Sequence, residues 1–208
     1  MLPRGVYLIT DAALCRETGL PAAVRAGLAG GVRTVQYRDK GHDAERRLTE
    51  ARSLKAICDE AGACFLINDD PALAAACGAD GVHVGREDAD PVELRRQYGP
   101  DLMIGVSCYD SLELAHAAVA SGADYVAFGS AYASPTKPGA VRAPLSLYRD
   151  ANAALPVPIV AIGGITAANG RPLVAAGCQA LAVISAVLDT PDPARAAAEI
   201  AGLFVDLP

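Results

Sequence analysis

Clusters of polar residues stand directly after short apolar runs in this chain, and their types suit the handling of phosphate anions. The segment "VQYRDK" spaces Gln36, Arg38 and Lys40 two residues apart, with Tyr37 and Asp39 between them. On an extended strand that spacing sends all three to one side, where two cations repel unless an anion lies between them; the whole run Gln36–Lys40 is a candidate anion-binding segment. Further along, "INDD" offers Asn68, Asp69 and Asp70, and "GREDAD" offers Glu87, Asp88 and Asp90. Carboxylates from neighbouring strand ends, facing those cations, fit Mg²⁺ that keeps several waters and shares a polyphosphate. The alternative is helix capping, because Asp70 and Asp90 each precede a proline and a helical pattern. Asp70 and Asp90 are therefore read as caps, and Asp69 and Asp88 as metal ligands.

A second anion site is expected where "AIGGI" and "AVISA" present the backbone N–H groups of Gly163, Gly164, Ile184 and Ser185 near a following helix. A plain tight turn is the alternative for the glycine pair. The loop "YASPTKPGA" adds Ser134, Pro135, Thr136 and Lys137; its prolines restrict φ, so Lys137 loses less freedom when it engages a leaving group. Lys137 stands between the two anion sites, which implies a reaction involving two phosphorylated groups. Ser107–Cys108 has no obvious partner for nucleophilic chemistry nearby in sequence. His116 reads as structural, and His83 is open between lining the pocket and packing.

The elements that must position these residues follow from periodicity. The runs "GVYLIT", "RTVQYR", "CFLIN", "GVHVG", "LMIGVS", "YVAFG", "PIVAIGG" and "ALAVIS" alternate with Ala/Leu/Glu/Arg-rich helical segments such as Ala44–Ala61 and Ser111–Ser121. Continuous apolar strands are those of a parallel sheet covered by helices. Glycines in "AGA", "CGADGV" and "AGCQAL" mark the helix-to-strand turns. Eight units in 208 residues, about 26 each, predict an α/β chain folded as a single-domain (β/α)₈ TIM barrel over residues 1–208. An open doubly wound sheet fits less well, since no G-x-G-x-x-G follows the first strand.

Composition narrows the partners to small molecules. A net charge of −6 and the absence of Trp argue against nucleic acid. No apolar run approaches the roughly 18 residues that span a bilayer, and "MLPRGVYLITD" lacks a signal-peptide pattern, so a cytoplasmic protein away from membranes is expected. Six cysteines without C-x-x-C spacing read as free thiols.

Taken in order, "YLITD", "VQYRDK", "IND", "GVHVGREDA", "IGVSCYD", "GADYVAFGSAYASPTKPGA", "VAIGGI" and "AVISAVL" resemble the thiamine phosphate synthase family over nearly the whole chain. The resemblance implies condensation of a hydroxymethylpyrimidine diphosphate with a hydroxyethylthiazole phosphate, with Mg²⁺, to give thiamine phosphate and diphosphate. It implies that Gln36, Arg38, Lys40, Asn68, Ser107 and Lys137 hold the pyrimidine diphosphate, with Lys137 and Ser107 the catalytic pair. It matches Asp69 and Asp88 to the metal, and Ser134, Thr136, Gly164, Ile184 and Ser185 to the thiazole phosphate. A homodimer is the assembly it suggests. The chain departs at Ser134, where threonine is common, and at Arg86, where glutamine is expected. A thiazole tautomerase of the same superfamily would want a histidine where Ser130 stands. A non-catalytic sensor of thiamine precursors would not need Asp69, Asp88 and Lys137 together, and product formation separates it from an enzyme. Sugar-phosphate epimerases would want paired acid/base carboxylates or metal-binding histidines.

Overall fold

The apolar runs become strands because each is short, rich in β-branched residues and bounded by glycine, proline or a capping side chain. The computed structural model describes residues 1–85, 88–133 and 141–205. Its elements are β1 (Gly5–Ile9), α1 (Leu20–Ala29), β2 (Val32–Tyr37), α2 (Ala44–Ala61), β3 (Cys64–Asn68), α3 (Pro71–Cys77), β4 (Gly81–Val84) and α4 (Pro91–Tyr98). The second half contributes β5 (Met103–Tyr109), α5 (Leu112–Ala120), β6 (Tyr125–Phe128), α6 (Leu145–Ala154), β7 (Ile159–Ile162), α7 (Arg171–Ala175), β8 (Ala180–Val183), α8 (Ser185–Leu188) and α9 (Pro193–Ala201). The strands form a closed barrel in sequence order, β1 to β8, and β1 pairs in parallel with β8. The expected (β/α)₈ barrel is the fold observed.

Alternation along each strand divides the core in two. Val6 and Leu8 of β1 face the helices, whereas Tyr7 and Ile9 point into the barrel beside Leu66, Tyr125, Val160 and Ala182. Both faces are covered, which is why the strand sequences look continuously apolar.

Side-chain caps start the helices: Asp43 accepts from Arg46 N at 3.0 Å, Asp70 from Leu73 N at 2.9 Å and Asp90 from Val92 N at 2.9 Å. Asp70 and Asp90 are thus the caps the sequence indicates. Gly62 and Gly78 close α2 and α3 with φ of 64° and 70°. Two more carboxylates tie strands at the N-terminal end of the barrel: Asp80 accepts from Phe65 N at 2.7 Å, and Asp124 accepts from Ile104 N at 2.7 Å while pairing with Arg95. Among the described residues, no helix is long and apolar enough to cross a membrane.

Candidate active site

A cavity of about 1110 Å³ opens at the C-terminal ends of the strands. Gln36, Arg38, Asn68 and Ser107 line one part of it; Gly163, Gly164, Ile184 and Ser185 line another. The barrel forces this arrangement, since every parallel strand delivers its last residues to the same face.

The acidic corner is built by the turn after β3. Asp69 has φ of 60°, a left-handed conformation unusual outside glycine, and its N–H donates to the His83 carbonyl at 2.8 Å. Its Oδ2 accepts from Lys40 Nζ and from Asn68 Nδ2, both at 2.5 Å. Asp88 accepts from Gly85 N at 2.7 Å. Burial pushes the Asp69 carboxyl up, but Lys40, then Asp88 and Asn68, outweigh it and hold the group below the usual carboxylate value. Burial, with the nearby Asp69 charge, pushes Asp88 up. The two carboxylates therefore titrate as a coupled pair, with Asp69 carrying the firmer charge. Such a pair suits a hard divalent cation that completes its shell with water and phosphate oxygens. Among the described residues no group of three or more His, Cys, Asp or Glu is gathered for a metal.

The run after β2 divides. Gln36 is 2% exposed and borders the cavity, as does Arg38, whose N–H donates to Thr10 Oγ1 at 2.9 Å. β2 ends at Tyr37, so the alternation expected through Lys40 stops there. Lys40, 62% exposed, reaches Asp69 from the following loop instead. Tyr37 and Asp39, also expected to bind substrate, are not among the residues that border the large cavity. The Tyr37 hydroxyl donates to Glu50 Oε2 at 2.6 Å, and Asp39 pairs with Arg46 at 2.8 Å, so both brace α2. Asp39 borders a small side cavity of about 180 Å³ with Asp11, Arg38 and Lys40. Its bond from Arg46 holds the carboxyl below its usual value.

Opposite, Gly163 and Gly164 have φ of 104° and 60°. A Cβ on Gly163 would lie 2.0 Å from Ser130 Oγ, and one on Gly164 2.3 Å from the Ala133 carbonyl, so the pair lets the chain leaving β6 lie against the β7 turn. Ile184 caps the short helix α8 and Ser185 begins it. No acceptor among the described residues takes the N–H of Gly164 or Ser185. Ser134, Pro135, Thr136 and Lys137, like Arg86 and Glu87, lie outside the described residues.

Ser107 Oγ lies 2.8 Å from His83 Nε2, and His83 Nδ1 lies 2.9 Å from the Tyr125 hydroxyl. Burial pushes the His83 ring down to about 4, against the attraction of Asp69. His83 is thus a neutral cavity residue, which resolves its open assignment, while His116 is exposed on α5. The sequence reading missed Tyr7 and Tyr125, whose mid-strand aromatic character resembles core. The available signal was their place on the same inward face as His83 and Gln36.

A family model described as thiamine monophosphate synthase matches residues 6–187. The chain belongs to the thiamine monophosphate synthase family. This is a transferase family, and the relatives carry the name thiamine-phosphate synthase. A thiamine-phosphate synthase of Thiobacillus denitrificans is 53% identical over 99% of this chain and 97% of its own length. One from Chromobacterium violaceum is 52% identical over 98% and 99%. A thiamine phosphate pyrophosphorylase structure from Pyrococcus furiosus superposes with a TM-score of 0.87 at 33% identity, covering 96% of this chain and 95% of that one.

Proposed function

We propose that this chain joins 4-amino-2-methyl-5-(diphosphooxymethyl)pyrimidine to 4-methyl-5-(2-phosphooxyethyl)thiazole, releasing thiamine phosphate and diphosphate. The observation that carries this reading is one cavity bordered by cationic and amide side chains beside a carboxylate pair at one end and by a glycine turn and a helix start at the other. Two anions of different kinds fit there, with a bond to be made between them.

The thiazole nitrogen is a neutral nucleophile, so no activated side chain is required. The C–O bond to diphosphate breaks with its electron pair leaving on oxygen, the aminopyrimidine donates density to the CH₂ carbon, and the thiazole nitrogen then forms the C–N bond. Asp69 and Asp88 would hold Mg²⁺, which supplies neutralisation of diphosphate oxygens when bound. Arg38 and Lys40 bind the same anion, Gln36, Asn68 and Ser107 orient the pyrimidine end, and Lys137 stabilises charge on the departing oxygens. Ser134, Thr136, Gly164, Ile184 and Ser185 hold the thiazole phosphate beside the reacting carbon. The reading includes one domain, a homodimer by family resemblance, and a cytoplasmic enzyme, in keeping with six free cysteines.

Incubation with both precursors and Mg²⁺ tests it. Thiamine phosphate and diphosphate should appear in equal amounts, and removal of divalent ions should stop both. Tight binding of both precursors without product would favour a sensor and reject the enzyme.

A further inference from the structure

Behind the cavity, the barrel interior carries an unbroken line of polar contacts that links residues from β1, β2, β4, β5 and β6. Gln36 Nε2 donates to the Tyr7 hydroxyl at 2.6 Å; Tyr7 and Tyr125 share a hydroxyl contact of 2.9 Å; Tyr125 meets His83 Nδ1 at 2.9 Å; and His83 Nε2 meets Ser107 Oγ at 2.8 Å. Both tyrosines are buried. We propose that Tyr7, Tyr125 and His83 are positioning residues, a directional hydrogen-bond chain that presents Gln36 Oε1 as an acceptor and the Ser107 hydroxyl as a donor to the aminopyrimidine. The assignment rests on the proposed function for the identity of that ring.

The direction follows from counting protons. Gln36 already donates to Tyr7 Oη, so Tyr7's single proton needs another acceptor, and the one its hydroxyl contacts is Tyr125 Oη. Leaving it unbonded in the buried interior would cost a full desolvation penalty. Tyr125, accepting from Tyr7, sends its own proton to His83 Nδ1. A neutral imidazole that accepts at Nδ1 carries its proton at Nε2, so His83 donates to Ser107 Oγ. The Ser107 proton then finds no acceptor among the described residues and is free to enter the cavity. At the other end, Gln36 spends an Nε2 proton inward, and no donor among the described residues takes its Oε1. One fixed direction thus makes the two ends complementary: an acceptor for an exocyclic amine and a donor for a ring nitrogen.

The packing is arranged to let the chain form. Gly105 pairs with His83 on one side and Tyr125 on the other in the strand register. A Cβ there would lie 1.9 Å from Tyr125 Cζ, so glycine on the middle strand allows the ring to pass across and stack on His83, with centroids 5.6 Å apart.

Nitrogen NMR of the full-length chain labelled with ¹⁵N-histidine, with the His83 signals assigned by their loss in His83→Gln, reads the direction without turnover. At neutral pH His83 should show a bare, hydrogen-bonded Nδ1 and a protonated Nε2; a protonated Nδ1 overturns the proposal. In Tyr125→Phe the Nδ1 signal should move to its unbonded position, and an unmoved signal also overturns it. Tyr7→Phe keeps the ring and removes the link between Gln36 and Tyr125, so the KM for the pyrimidine diphosphate should rise about tenfold while that for the thiazole phosphate stays within about twofold. Equal changes for both substrates, or none, contradict the positioning role. A wild-type chain that makes no thiamine phosphate would reject the proposed reaction and leave the NMR result standing.

Discussion

Asp69 and Asp70 are adjacent aspartates with opposite duties, and local backbone geometry separates them. Asp70 spends its carboxylate on the Leu73 N–H and on Arg47, whereas the left-handed turn at Asp69 sends its side chain towards Lys40 and Asp88. The cap role was legible because proline follows at the first helical position; the ligand role proposed for Asp69 was suggested by the carboxylate that remained over. The contacts of Tyr37 and Asp39 were not legible, since spacing alone does not say where β2 stops and the partners Glu50 and Arg46 come from the next helix. Asp69→Ala and Asp88→Ala should each lower kcat/KM by about 10²-fold or more while the far-ultraviolet circular dichroism is retained, as both side chains lie outside the barrel core. Wild-type turnover in either variant would dismiss the metal assignment. Lys137→Ala should lower kcat with a smaller change in KM, a loss of about 2–4 kcal/mol in steady-state kinetics, if the C–O bond breaks before the thiazole attacks.

At the level of elements, the site depends on how firmly each helix is seated against its strand. α2 is held by a cluster in which Arg46 bridges Asp39 and Glu50, and Glu50 takes the Tyr37 hydroxyl. Because the Asp39 carboxyl is held below its ordinary 3.8, its contribution is complete above that pH and is lost as pH falls through the lowered folded-state value. Urea unfolding of wild type and Asp39→Asn should therefore show a stability difference at neutral pH that closes well below pH 3.8. A difference unchanged across that window would mean the ion pair is not its source. Gly105→Ala should destabilise by about 1–3 kcal/mol, because Tyr125 is fully buried and has no room to move aside; thermal melting checks this. Helix Ala44–Ala61 and the strand runs were legible from periodicity. The Tyr7–Tyr125–His83 line was not, because it joins strands far apart in sequence and only barrel closure brings them together.

Over the whole molecule, closure of eight parallel strands delivers chemically distinct strand ends to one mouth. The count of units was readable from the sequence, and so was the division into an acidic–cationic corner and a glycine–hydroxyl corner. Their shared cavity was not, since it depends on strand register and on the close approach of Ala133 to Gly164. In the proposed reaction two anions bind at separate places in this cavity, the diphosphate near Arg38 and Asp69 and the monophosphate near Gly164 and Ser185. Steady-state kinetics of Ser185→Asp, with each substrate varied in turn, tests that claim most directly. A fixed negative charge at Ser185 should raise the KM for the thiazole phosphate by about tenfold or more and leave that for the pyrimidine diphosphate within about twofold. Equal increases for both substrates would contradict two separate anion sites.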